Sequence, residues 1–118
     1  MKKTTLITIC LGLFLCFASV SFAQFTGPSI SGRESTVGQI SNTSVGSYVI
    51  LTGHIIAHQR DEYFTFRDKT GTIRVEIENR VWQGREISPE TRVRLMGEVD
   101  RGLSGRYIWV KSLDVITE

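Results

Sequence analysis

From residue 48 onwards, apolar and polar side chains alternate along the chain in short runs, and turn residues separate these runs at intervals of about ten residues. A period of two residues is typical of strands that bury one face and expose the other. The segment after the third run contains Gly84 and Pro89, which limit it to a helical turn or two. The five predicted strands are Tyr48–Ile56, Tyr63–Arg67, Ile73–Glu78, Arg92–Val99 and Arg106–Ser112.

Three strands, a short helical element and two further strands are the order of an OB fold. The pattern therefore predicts an all-β, five-stranded OB-fold Greek-key barrel over residues 48–118, with a short helical turn between strands 3 and 4. A β-sandwich is the alternative. In the third strand the alternation places Ile73, Val75 and Ile77 towards the core. Gly53, in the middle of the first strand, suits a bulge or a sharp coil.

The N-terminus has the organisation of a secretory signal. Two lysines precede an unbroken apolar run from about Leu6 to Val20, and the small side chains of Ser21 and Ala23 predict cleavage before Gln24. An uncleaved anchor is the alternative, but the apolar run is shorter than the roughly 20 residues that a membrane span needs. The predicted organisation is a signal peptide at 1–23, a loosely ordered N-terminal lead-in at 24–47 and the barrel at 48–118.

Cleavage changes the charge and the chemistry of the chain. Without the two lysines of the signal peptide, twelve basic residues face twelve acidic ones, and both cysteines are lost with the signal. A neutral domain lacks the general phosphate attraction that dominates nucleic-acid affinity. The exported domain would therefore contain no disulfide, no thiolate metal ligand and no cysteine nucleophile.

Two pairs of residues have the spacing of reactive sites. His54 and His58 are four residues apart, but on a strand this spacing separates the rings by roughly 13 Å, too far to share a metal ion. Glu76 and Glu78 resemble an acid–base pair, but the solvent face of a small barrel offers little burial to raise a carboxyl pKa. We therefore predict no catalytic residue, no metal site and no cofactor.

The segment Phe66-x-Asp68-x-Thr70-Gly71-x-Ile73-x-Val75-x-Ile77 resembles the hairpin of strands 2 and 3 in many OB domains. Further motifs are Phe25-Thr26-Gly27-Pro28, Val49-x-Leu51-x-Gly53-x-Ile55, Trp82-x-Gly84, Ser88-Pro89 and Gly97-Glu98-Val99-Asp100. In their order and spacing they resemble the bacterial OB-fold (BOF) family, the YgiW/YdeI-type periplasmic stress-tolerance proteins, over essentially the whole chain after the signal. The resemblance implies a small periplasmic protein associated with resistance to envelope or oxidative stress, with no established catalysis. It does not supply a ligand.

Two surfaces are candidates for binding. The outward face of strands 2 and 3 is the usual OB ligand platform, and a tyrosine among arginine and glutamate side chains suits a sugar or a peptide better than single-stranded nucleic acid. A merely solvated face is the alternative. The predicted ligand-binding residues are Tyr63, Thr65, Arg67, Arg74, Glu76 and Glu78. In the last strand, Tyr107 and Trp109 alternate with the inward Ile108 and Val110, and we expect them as exposed partner-binding anchors on the opposite part of the barrel. In the family pattern an acidic residue stands where this chain has Trp109.

The predicted function is that of a non-enzymatic periplasmic OB-fold binding protein that contributes to envelope or oxidative stress tolerance and recognises a glycan fragment or a cationic peptide. The alternative is an interaction or regulatory protein that docks a membrane or outer-membrane protein through Tyr107 and Trp109. No nucleic-acid partner is expected, because the predicted compartment and the neutral charge both oppose it. A monomer that does not insert into the membrane after signal cleavage is expected.

Overall fold

The computed structural model describes residues 32–117 of the chain. Its strands are β1 (Arg33–Glu34), β2 (Tyr48–Arg60), β3 (Tyr63–Asp68), β4 (Gly71–Glu76), β5 (Arg92–Gly102) and β6 (Gly105–Val115). A 3-10 helix spans Val37–Asn42, and a short helix α1 spans Asn79–Trp82. The predicted signal peptide, its cleavage before Gln24 and the motif that begins at Phe25 lie outside the described residues. Within residues 32–117, no helix is long and apolar enough to cross a membrane.

The strands close into a barrel because the long strand β2 pairs with two neighbours. Its first half is antiparallel to β5, and its second half is antiparallel to β3, with register shifts between Ile55 and Ala57 and between His58 and Arg60. β3 and β4 form a hairpin, β4 is parallel to β6, and β6 is antiparallel to β5. β1 is a two-residue addition, parallel to β2. This pairing is that of a closed five-stranded OB barrel, so the predicted fold class is confirmed.

The core consists of the inward residues of the five barrel strands. Val75 and Ile108 have no exposed surface, and Ile77 and Val110 are 1% exposed. Ile73 is only partly buried and packs against the edge of this core. The alternation in the sequence therefore places the core residues of β4 and β6 correctly.

Part of the predicted lead-in belongs to the barrel. The 3-10 helix buries Val37 and Ile40 against the core. It is held by the β3–β4 turn, because the Val37 N–H donates to Asp68 Oδ2 at 2.9 Å and the Gly38 N–H donates to Thr70 Oγ1 at 2.8 Å. The alternation analysis placed the first ordered element at residue 48, because a short 3-10 helix with two apolar residues has no strand periodicity to detect.

Gly53 marks a close approach of two strands, and the bulges of β2 lie further along, between Ile55 and Arg60. A Cβ atom at Gly53 would overlap the Arg67 carbonyl oxygen and would lie 2.9 Å from Phe66 Cζ. A glycine is therefore required where the neighbouring strand β3 comes close to β2, and of the two expectations for this residue, a bulge or a sharp coil, the bulge is wrong.

Candidate functional site

The outer side of β4 and of its two neighbours carries a cluster of aromatic and charged side chains. β3 pairs with β4 so that Tyr63 lies opposite Glu76, and β4 pairs with β6 so that Glu76 lies beside Trp109. Arg74 and Tyr107 each lie two residues earlier in the same strands, so alternation turns all five side chains outwards. We call these five residues the aromatic face.

Arg74 is held between two tyrosine rings at the centre of the aromatic face. Its Cζ atom lies 5.1 Å from the ring centroid of Tyr63 and 5.2 Å from that of Tyr107. The two rings are 6.2 Å apart and inclined at 75°. Within residues 32–117, the buried Arg74 Nε has no hydrogen-bond partner. Cation–π attraction, which is stronger where water is excluded, therefore fixes this guanidinium.

The Trp109 indole is held both at its edge and on its face. Its Nε1 donates a hydrogen bond of 3.1 Å to Glu78 Oε2, and Lys111 Nζ lies 3.2 Å from the ring centroid. The side chain is partly buried. One face of the ring is thus covered by a cation that belongs to the chain itself.

Glu76 differs from the solvated carboxylate that the sequence predicts. Burial raises its pKa, and repulsion from Glu78, Glu62 and Asp100 raises it further. The sequence predicts little burial on this face, and the partial burial of Glu76 nevertheless contributes most to its raised pKa. No hydrogen bond or ion pair engages the Glu76 carboxylate within residues 32–117.

The three neighbouring carboxylates are all engaged. Glu78 accepts hydrogen bonds from Trp109 and Arg80, which lower its pKa. Glu62 accepts the backbone N–H at the start of α1 at 3.0 Å, and Asp100 accepts the tyrosine hydroxyl of β6 at 3.1 Å. Of these four carboxylates, Glu76 is therefore the one that remains available to a cation of a ligand.

Tyr107 is fixed as a hydrogen-bond donor. Burial, followed by the hydrogen bond to Asp100 and the charge of that carboxylate, raises the pKa of Tyr107 to about 12. The hydroxyl therefore stays protonated over the neutral range and keeps the ring in place beside Arg74.

The structure joins the two surfaces that the sequence separates. Tyr107 and Trp109, predicted as exposed anchors on the opposite part of the barrel, are partly buried and adjoin Tyr63 and Glu76. The separate placement is wrong because the parallel pairing of β4 with β6 connects residues more than 30 positions apart, which alternation does not reveal.

The other predicted ligand-binding residues lie at different distances from the aromatic face. Glu78 caps the N-terminus of α1 rather than extending β4, yet its carboxylate still reaches Trp109. Thr65 lies opposite Arg74 and accepts a hydrogen bond from the Gln59 amide at 2.9 Å. Arg67 lies at the other end of β3, where it lines a separate cleft.

Sequence reasoning missed the residues that complete the cluster. They are Glu62, Asp100 and Lys111. Lys111 follows Tyr107 and Trp109 at the next outward position of the same strand, so alternation supplies a signal for it. Asp100 was assigned to a loop, whereas β5 continues to Gly102.

The two histidines lie in different surroundings. His54 Nδ1 contacts the Thr91 carbonyl oxygen at 3.1 Å, and the His58 ring lies 4.7 Å from the Phe64 ring. Across residues 32–117, no group of three or more histidine, cysteine, aspartate or glutamate side chains is arranged to hold a metal ion.

An apolar pocket of about 520 Å³ lies where α1 closes one end of the barrel. Phe64 and Trp82 stack in it with centroids 4.8 Å apart, inclined at 11°. Trp82 Nε1 donates to the Arg85 carbonyl oxygen at 2.7 Å. The polar edge of the indole is thus satisfied locally, and its apolar surface packs against the core.

Comparison with known proteins identifies the family. A family model described as bacterial OB fold (BOF) protein matches residues 20–115. The calcium-regulated OB-fold protein CarO of Pseudomonas aeruginosa is 38% identical over 101 residues, which cover 85% of this chain and 87% of that protein. Protein YgiW of Escherichia coli is 31% identical over 113 residues, covering 84% of this chain and 87% of that protein. These names do not denote enzymes.

Solved structures agree with the sequence comparison. The structure of YgiW from E. coli matches with a TM-score of 0.68 at 32% identity, over 79% of this chain and 98% of that chain. The second OB-fold domain of replication protein A from Methanococcus maripaludis matches with a TM-score of 0.57 at 17% identity and covers 73% of this chain and 97% of that chain, a likeness of fold alone. The resemblance predicted from the motifs is confirmed: the chain belongs to the bacterial OB-fold (BOF) family.

Proposed function

We propose that this protein is a non-enzymatic binding protein of the periplasm, that it contributes to envelope and oxidative stress tolerance, and that its aromatic face holds a cationic segment of a peptide. The observation that carries the ligand class is Glu76. This carboxylate is partly buried, lies among aromatic rings and makes no hydrogen bond or ion pair within residues 32–117, and the charge of Lys111 only partly offsets the causes that raise its pKa. A lysine or arginine side chain of a ligand would supply the missing charge.

The chain's own cations support this chemistry. Arg74 lies between two tyrosine rings and Lys111 lies over Trp109, so each of these rings already attracts a positive group. The carboxylates of Glu62, Glu76, Glu78 and Asp100 outnumber the cations of Arg74, Arg80 and Lys111, so the surface is negative. A cationic side chain of a peptide would form a charge-assisted hydrogen bond with Glu76, which is stronger than the bond that a sugar hydroxyl would form there.

The experiment measures binding of a hexalysine peptide to the purified protein by calorimetry, with hexaglutamate as the matched probe. Glu76→Gln should weaken hexalysine binding about tenfold, since a charge-assisted hydrogen bond contributes about 1.5–3 kcal/mol. Glu90→Gln removes the same charge from an exposed turn and should have little effect. Equal weakening by the two variants would show that general charge attraction, and not this face, holds the peptide.

The other two ligand classes are alternative outcomes of the same titration. Binding of soluble peptidoglycan fragments that survives Glu76→Gln but is lost with Tyr63→Ala would identify a glycan site. Capture of an outer-membrane protein, lost with Trp109→Ala while neither soluble probe binds, would identify a docking protein. Tyr63 and Trp109 lie on the same face, so the position of the substitution alone does not separate these possibilities. The class of ligand that binds separates them.

The role in stress tolerance is tested in cells. A strain that carries Tyr63→Ala, Arg74→Ala and Trp109→Ala together should lose tolerance to a cationic peptide or to peroxide while the variant accumulates normally in the envelope. Full tolerance in that strain would mean that the aromatic face does not carry the function.

A further inference from the structure

A second cleft lies at the far end of β3 from Tyr63 and plays no part in the aromatic face. Its volume is about 520 Å³, which is within the range of small-molecule sites. Its polar lining includes Ser35, Thr52, His54, Arg67, Lys69 and Arg92. We call it the basic cleft.

Three strands bring His54 and two arginine residues of the basic cleft together. His54 in β2 lies opposite Arg67 in β3 and also opposite Arg92 in β5, so the three side chains form one row across the outer side of the barrel. All three residues line the cleft.

The two acids that also line the basic cleft are already engaged. Glu34 pairs with Arg94 at 3.1 Å, and Asp68 accepts hydrogen bonds from the 3-10 helix and from its own turn. In contrast, no hydrogen bond or ion pair engages the side chains of Arg67 and Lys69 within residues 32–117. These two cations are therefore available to a ligand.

His54 is oriented by its backbone contact. A carbonyl oxygen only accepts, so the 3.1 Å contact of Nδ1 with the Thr91 oxygen is a hydrogen bond when Nδ1 carries the proton. In the neutral ring Nε2 then only accepts, so it suits a hydroxyl group of the ligand rather than a phosphate oxygen. Arg67, on the neighbouring strand, supplies a planar fork of donors, and Lys69 supplies a mobile charge.

We propose that the basic cleft binds a phosphate monoester. Arg67, Lys69 and the Thr52 hydroxyl suit a dianion with several acceptor oxygens better than a single carboxylate. The cleft has room for more than one phosphate group, so the phosphate is carried by a larger body. This body is either a soluble sugar or the headgroup of an anionic lipid.

The test follows the backbone NMR signals of the protein, purified as the cell produces it, during titration with glucose 6-phosphate and, separately, with glucose. The phosphate ester should shift the signals of His54, Arg67 and Lys69 in a saturable manner, whereas glucose should not. Sedimentation with phosphatidic acid vesicles, compared with phosphatidylcholine vesicles, covers the lipid source. Vesicle binding without a response to the soluble ester assigns the phosphate to a lipid headgroup.

Arg67→Gln should weaken whichever phosphate probe binds by at least about tenfold, because it removes a charge-assisted bond. Arg101→Gln removes the same charge from the exposed β5–β6 hairpin and is the matched control. Thermal melts of both variants verify the fold. Equal weakening by the two substitutions, or no response to either phosphate probe, would overturn the proposal, and neither result would affect the aromatic face.

Discussion

Asp68 is the residue whose removal should detach the N-terminal segment from the barrel. Its Oδ2 accepts the Val37 N–H at 2.9 Å, and its Oδ1 accepts the backbone N–H and the hydroxyl of Thr70 at 2.7 and 2.6 Å. Thr70 Oγ1 in turn accepts the Gly38 N–H at 2.8 Å. Asp68→Ala removes the centre of this network while the strands themselves remain intact.

The expected loss of stability in Asp68→Ala follows from the hydrogen bonds that are removed and from the apolar side chains that the N-terminal segment buries. A hydrogen bond to a charged group contributes about 1.5–3 kcal/mol, and the turn is partly exposed, so we expect the free energy of unfolding to fall by about 2 kcal/mol. Complete detachment would also expose Val37 and Ile40, which are 8% and 1% exposed in the structure. That exposure would add about 1.5–3 kcal/mol to the loss for each of the two side chains.

The effect should depend on pH in a defined direction. Burial acts to raise the pKa of Asp68, but the hydrogen bonds from Thr70 and Val37 outweigh it and lower the pKa below its ordinary value of 3.8. Stability from a depressed carboxyl pKa is fully present above the ordinary value and is lost as the pH falls through the lower, folded value. The difference between the protein and Asp68→Ala should therefore shrink below about pH 4.

Urea unfolding at several pH values measures this difference. Asp114→Asn, on an exposed position of β6, is the control for loss of one carboxylate charge. Thr70→Val should couple to Asp68→Ala by about 0.5–3 kcal/mol in a double-mutant cycle, because the two side chains share one network. Equal stability of Asp68→Ala and the unsubstituted protein, with unchanged protection of the Val37 amide from hydrogen exchange, would refute the reasoning.

Three further predictions concern the core, the aromatic face and export. Val75→Asp places an unpaired charge at a position with no exposed surface and should unfold the protein in a thermal melt, whereas Thr72→Asp on the exposed side of β4 should change the melting temperature little. The phenol of Tyr107 should titrate near pH 12 by ultraviolet absorbance. Because its pKa is raised from 10.0, the free energy of unfolding should fall as the pH rises from 10.0 to about 12. Tyr107→Phe should abolish both effects. The exported protein should begin at Gln24 and be released by osmotic shock, and an intact mass that retains Lys2 would contradict the assignment of a cleavable signal.

Alternation predicted the barrel strands well because each of them buries one face. All five predicted strands are present, and the core positions of β4, Val75 among them, follow the period of two. The ends of the strands were less predictable. The predicted strands end at Val99 and begin again at Arg106, whereas β5 and β6 pair as far as Gly102 and Gly105. In an exposed hairpin, backbone pairing continues where side-chain alternation gives no signal.

The composition of the aromatic face was partly predictable, but its extent was not. The period of two correctly predicts that Tyr63, Arg74 and Glu76 face the same side of the sheet. Tyr107, the second tyrosine partner of Arg74, belongs to β6, and only the parallel pairing of Val75 with Ile108 brings it beside Arg74. Long-range pairing depends on the closure of the whole barrel, which no local pattern encodes.

The neutral charge predicted for the chain after signal cleavage conceals a separation of charge along the strands. β5 begins at Arg92, which lines the basic cleft, and reaches Asp100, which lies with the carboxylates around Glu76. β3 likewise runs from Tyr63 on the aromatic face to Arg67 in the basic cleft. A net charge near zero therefore excludes a uniform attraction to nucleic acid but says nothing about local sites. Within residues 32–117, the carboxylate without a hydrogen bond or ion pair, Glu76, lies on the aromatic face, whereas Arg67 and Lys69, also without one, lie in the basic cleft. Ligands of opposite sign should therefore respond to separate sets of substitutions.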